Sequence, residues 1–111
     1  MINNVTLVGR LTKDPEIREL NGGVKVGSFT LAVDRNYKNS SDERETDFIP
    51  VVVWRKTAEL AEQYLRKGSL CGAVGSIQTR SYEGQDGVKR YVTEVVAGEI
   101  QFFPSSNNSE S

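Results

Sequence analysis

The chain has 111 residues, with 14 basic and 15 acidic side chains, a formal net charge of −1, no histidine and a single cysteine. That length holds one domain core and not two. Without histidine and with Cys71 alone, the usual zinc sites, the Ser-His-Asp and Cys-His nucleophile schemes and an internal disulfide are all excluded within one chain.

From the start, Val5 to Leu11 is β-branched and apolar and predicts a first strand, with Val5, Leu7 and Leu11 on one face and Thr6, Val8 and Arg10 on the other. A polar stretch containing Pro15 follows, and Asn21-Gly22-Gly23 signals a turn. The second predicted strand runs from Val24 to Val33. Phe29, Leu31 and Val33 alternate cleanly, but Val24 and Val26 are out of phase with them, so a bulge or bend is expected at Gly27. Residues 34–47 are polar and charge-dense and read as an exposed loop. The third strand runs from Phe48 to Arg55. Pro50 inside it lacks a ladder donor, which suggests an edge strand or an outward-facing position.

Residues 57–67 form the one good helical pattern, with Ala58, Ala61, Tyr64 and Leu65 on one stripe and Gly68 placed as a C-terminal cap. The fourth strand starts near Leu70 and runs through Ile77 to Tyr82. Glu83 to Gly87 reads as a hairpin loop, and the fifth strand runs from Val88 to about Phe103. Five strands with one helix between the third and fourth is the order of the OB-fold, a mostly β Greek-key barrel. Residues 1–104 are expected to form that domain, and residues 105–111 a short disordered polar tail. No apolar run approaches the roughly 20 residues of a membrane span. Met1-Ile2-Asn3-Asn4 has no basic or apolar signal region, so no membrane association and a cytoplasmic location are expected.

Phe48 and Trp54 are six residues apart and share a face of the third strand, with Ile49, Val51 and Val53 on the other. Only one row can fill the barrel. If the branched row is inside, two large aromatics stand outside and call for stacked bases, an oligomer contact or another partner. If the aromatic row is inside, they are core. Pattern alone leaves both open. The neighbourhood favours the outward reading: Trp54 precedes Arg55-Lys56, Tyr82 shares a face with Arg80, and Tyr37 stands between Arg35 and Lys38. Aromatics interleaved with cations suit a single-stranded nucleic-acid groove, where bases stack and phosphates need counter-charge.

The near-zero net charge excludes a simple polycation, so cations must be segregated onto one face. Arg10, Arg18, Arg35, Lys38, Lys56, Arg66, Lys67, Arg80, Lys89 and Arg90 are candidates for phosphate contact, each weighed against a plain solvated charge. The acidic group Asp42, Glu43, Glu45 and Asp47 reads as a solvated loop that also repels DNA. Asp14 with Glu16, and the 42–47 group, lack recognisable metal-ligand spacing, so no metal, cofactor or catalytic site is expected. Cys71 reads as a small core residue.

Several segments in order resemble the bacterial single-stranded DNA-binding protein family. These are residues 3–16 (Asn3-Asn4-Val5-Thr6-Leu7-Val8-Gly9-Arg10 onward), Phe29 to Val33, Tyr64 to Ser69, Gln78 to Tyr82 and Thr93 to Val96. The resemblance spans residues 1 to about 104. It implies sequence-independent binding and protection of single-stranded DNA in replication, recombination and repair. It implies base stacking by Tyr37, Phe48, Trp54 and Tyr82, with basic contacts at Arg18, Lys56, Arg66, Lys67 and Arg80. It also implies a homotetramer whose first strand takes part in subunit pairing, at the nucleoid. Two features depart from the family. Pro50 replaces a frequently polar or basic residue, removing one contact. The chain stops at Ser105 to Ser111 without an acidic, hydrophobic tip, so tip-mediated recruitment of other proteins is not expected. The competing expectation is an OB-fold protein-interaction subunit of a replication assembly, with the aromatic face as a protein interface.

Overall fold

The structure is a computed structural model that describes residues 1–38 and 44–103, with the side chains of Tyr37, Lys38 and Arg44 outside the described set. Among the described residues six strands and one helix follow in the order β1 (Val5–Leu11), β2 (Glu16–Glu19), β3 (Lys25–Lys38), β4 (Arg44–Trp54), α1 (Lys56–Tyr64), β5 (Leu70–Glu83) and β6 (Lys89–Phe102). The sheet order β1-β5-β6-β4-β3 closes on itself through a β1–β3 pairing, and β2 adds to the free half of β3. This is the expected OB-type barrel. The five barrel strands and the position of the helix agree with the sequence reading, but β3 runs on to Lys38 and β4 begins at Arg44, so most of the stretch 34–47 that its polarity marked as loop is paired strand, Asp34 opposite Thr46. The added strand is β2, four residues that the polar composition concealed.

The two rows of β4 separate as their alternation requires. Val51 and Val53 are fully buried, while Phe48 is 64% and Trp54 43% exposed. The branched row is therefore the core row. It packs with Leu11, Phe29, Leu31, Val95 and Ala97, and the helix closes the barrel through Ala58, Ala61 and Leu65. Glycine at position 27 lets Ile17 of β2 and Val53 of β4 pack close against β3. A Cβ built on Gly27 would lie 2.7 Å from Ile17 Cδ1 and 3.1 Å from Val53 Cγ2. Gly27 faces the core and marks close packing, not the expected bulge: pairing with both β2 and β4 runs through it without a shift. Val26 and Phe29 are nevertheless both buried. Val26 is covered on the outer face, opposite Trp54, where a groove forms.

Pro50 is also explained by register. It pairs with Thr30, whose carbonyl accepts from Thr12 N–H at 3.1 Å and so points away from β4. Thr30 and Pro50 thus form a non-hydrogen-bonded pair, and no ladder bond with β3 is lost. On the other side β4 meets β6 in parallel only at Val51–Val95 and Val52–Val96. The helix ends earlier than its periodicity suggests. Leu65 is already extended, and the left-handed Gly68 (φ 87°) serves the turn into β5, four residues beyond the last helical residue. Arg55, read as strand, instead occupies the helix N-cap at φ 55°, a strained conformation for a residue with a side chain.

Cys71 is fully buried, and burial pushes its thiol from an ordinary 9.0 to about 11. The neutral thiol is favoured by the fold. Its stabilisation is complete below pH 9.0 and is lost as pH rises towards 11, because the unfolded chain ionises first. We expect urea stability to decline across that window in the wild type, with a shallower decline in Cys71→Ala. Parallel pH profiles for the two proteins would disprove it.

Candidate nucleic-acid interface

The β4–β6 join is only two residues long, so the outer halves of β5 and β6 leave the barrel together as a long hairpin. The register between them advances by one residue at Gly98, since Val74 opposes Glu99 and Gly75 opposes Ala97. That bulge turns the hairpin. Between it and the β2–β3 side lies a groove of about 910 Å³. Its floor is the outward row of the strands: Val26, Ser28 and Thr30 of β3, Pro50, Val52 and Trp54 of β4, and Val92, Glu94 and Val96 of β6. Gln78 and Arg80 of β5 form one wall, and Lys13, Asp14, Glu16, Arg18 and Leu20 the other.

Of the sequence-derived aromatic sites, Trp54 lies in this groove. Phe48 continues the same face of β4 beyond Pro50, directly opposite Ala32. Tyr82, 47% exposed, continues the row Gln78-Arg80 along β5. Three exposed aromatics therefore share the outer sheet surface. The side chains of Tyr37 and Lys38 lie outside the described residues.

The cations divide. Arg18 lines the groove and makes no hydrogen bond or ion pair among the described residues. Lys56 opens the helix and Lys67 follows it, both exposed. Arg10 donates to the Gly68 carbonyl at 3.1 Å, and Arg66 to the carbonyls of Glu62 and Leu65 at 2.8 and 2.7 Å. Arg66 thus caps the helix end. Lys67 N–H donates to Asp14 Oδ1 at 2.8 Å, which ties this basic loop to the groove wall. Arg35 grips Asp47 through two 3.0 Å bonds and reaches Glu45 at 3.5 Å. Its hydrogen bond holds the Asp47 carboxyl below the usual range. Asp47 and Glu45 are therefore partners of Arg35 and not a free acidic rim, while Asp42 and Glu43 lie outside the described residues. In the hairpin, Arg90 pairs with Asp86 at 2.8 Å and Lys89 is exposed.

Two groove residues escaped the sequence reading. Lys13 sat in a polar stretch with no aromatic neighbour. Glu94 reads as an ordinary outward strand position, yet its side chain is 11% exposed and accepts from Arg80 Nε at 3.2 Å. The groove lining carries three cations, Lys13, Arg18 and Arg80, against three carboxylates, Asp14, Glu16 and Glu94. Among the described residues no group of three or more metal-ligating side chains occurs, and no helix is long and apolar enough to cross a membrane.

Residues 2–103 match the model of the Single-strand binding protein family. The chain belongs to that family. It is 57% identical over 108 residues to single-stranded DNA-binding protein 3 of Listeria innocua, covering 97% of this chain and 68% of that one. It is 54% identical over 110 residues to single-stranded DNA-binding protein 2 of Staphylococcus aureus, covering 99% of this chain and 79% of that one. Among solved structures, the Plasmodium falciparum SSB in its complex with ssDNA superposes with a TM-score of 0.84 at 30% identity, covering 94% of this chain and 96% of that chain.

Proposed function

We propose that this chain binds single-stranded DNA without sequence preference and protects it during replication, recombination and repair, by binding and not by chemistry on the strand. The observation that carries this reading is Trp54, a large ring on the outer sheet face in a groove flanked by Arg18 and Arg80. A flat exposed ring beside cations offers a surface to any base, while duplex DNA keeps its bases stacked inside. In this reading bases stack on Trp54, Phe48, Tyr82 and Tyr37. Arg18, Lys13, Lys56 and Lys67 supply counter-charge, and Arg10, Arg35 and Arg66 are committed first to protein acceptors. The chain acts as a cytoplasmic, nucleoid-associated homo-oligomer, with Val8, 50% exposed on the outer face of β1, available to subunit pairing.

Trp54 is the only tryptophan, so its fluorescence reports the groove alone. Titration with oligo-dT is expected to quench it strongly, with partial survival at high salt and no quenching by duplex. Absence of both quenching and binding would leave the aromatic face to a protein partner.

A further inference from the structure

A groove for a polyanion contains a carboxylate that is almost buried. Glu94 sits on the groove face of β6 opposite Gln78, and its diagonal neighbour Arg80 stands on β5 opposite Val92. Arg80 Nε donates to Glu94 Oε2 at 3.2 Å, with the arginine side chain 58% exposed and the glutamate 11%. We infer that Glu94 is a positioning residue. It withdraws Arg80 from phosphate neutralisation and presents its guanidinium as a flat, near-neutral surface for a base.

The asymmetry of burial carries this. Pulling Arg80 away to a phosphate leaves a nearly buried carboxylate without its cation, which is strongly unfavourable. A phosphate brought to Arg80 where it stands also meets the negative charge of Glu94. Anchoring through Nε leaves the face of the guanidinium plane open, and such planes stack on bases. The position fits: Arg80 lies between Gln78 and Tyr82 on the same face of β5, in line with an exposed aromatic ring. Arg18 on the opposite wall has no such partner among the described residues and remains a plain counter-charge.

The inference rests on the proposed single-strand binding and separates from it in one experiment. Labelled oligo-dT is titrated at several salt concentrations with wild type, Arg80→Gln, Glu94→Gln and the double variant. Each single-strand phosphate contact adds about 0.7 to the slope of log K against log salt. Arg80→Gln is expected to weaken binding equally at all salts, with the slope unchanged. Glu94→Gln is expected to steepen the slope by about 0.7, and the double variant to restore it. A slope about 0.7 shallower in Arg80→Gln, or no change in Glu94→Gln, overturns the inference while leaving single-strand binding intact. Wild type that binds no oligo-dT overturns the proposed function instead. Should Glu94→Gln fail to fold, the double variant, which leaves no unpaired charge at the pair, decides alone: a wild-type slope supports the inference and a slope about 0.7 shallower than wild type overturns it.

Discussion

Trp54→Ala is expected to weaken single-strand binding by roughly 5- to 140-fold while the protein stays folded. A stacked base contributes roughly 1–3 kcal/mol by alanine substitution, and each 1.4 kcal/mol is a factor of ten. The ring is 43% exposed on the outer face of β4, so its removal leaves no closed cavity, and a melting-temperature loss of only a few degrees is expected. The neighbouring residue behaves in the opposite way. Val53 is fully buried, and Val53→Ala removes two methyl groups from the core at about 2 kcal/mol, with unchanged affinity in the folded fraction. Anisotropy of a labelled oligonucleotide, read beside thermal melts, distinguishes the two. A Trp54→Ala protein that unfolds, or that binds as tightly as wild type, would show that the ring serves the fold or a subunit contact.

The largest loss of stability from adding one methyl group is expected at Gly75, where β5 crosses the bulge of β6. A Cβ there would lie 2.0 Å from the Val96 carbonyl oxygen and 2.7 Å from Ala97 Cα. Both are backbone atoms, which cannot rotate aside, so β5 and β6 must part where the hairpin leaves the barrel. Overpacking of this kind costs about 3 kcal/mol, the upper part of its usual range. That corresponds to a fall of roughly 10–20 °C in melting temperature. Gly98, the bulged residue itself, has no atom within 4 Å of its Cβ position and no positive φ. Gly98→Ala is therefore expected to be neutral or slightly stabilising. Urea midpoints measure both, with unchanged m-values showing that the denatured state is unaffected. Equal stabilities for the two variants would mean that the strands part without loss.

Much of this was legible in the chain. Alternation in residues 48–54 defined two rows on the third predicted strand, the glycine turns placed the hairpins, and 57–67 read as the one helix. The family motifs then supplied order and topology. The helix end was misplaced because Leu65 continues the apolar stripe although its backbone is extended. The short β2 was missed because three of its four residues, Glu16, Arg18 and Glu19, are charged and exposed and leave little apolar signal; the strand exists because β3 offers an edge.

What the sequence determined by itself was the set of faces: which residues stand together along each strand, and which cations lie near which rings. A period of two is symmetric, however, and does not say which face is inside. Closure of the barrel through the β1–β3 pairing broke that symmetry, burying Val51 and Val53 and leaving Phe48 and Trp54 outside. The fate of the charges was decided at the same level. Arg10 meets the Gly68 carbonyl across 58 positions, and Arg80 meets Glu94 across 14. Charge composition is a property of the chain. Whether a cation is free for a phosphate depends on which acceptor the folded strands bring beside it.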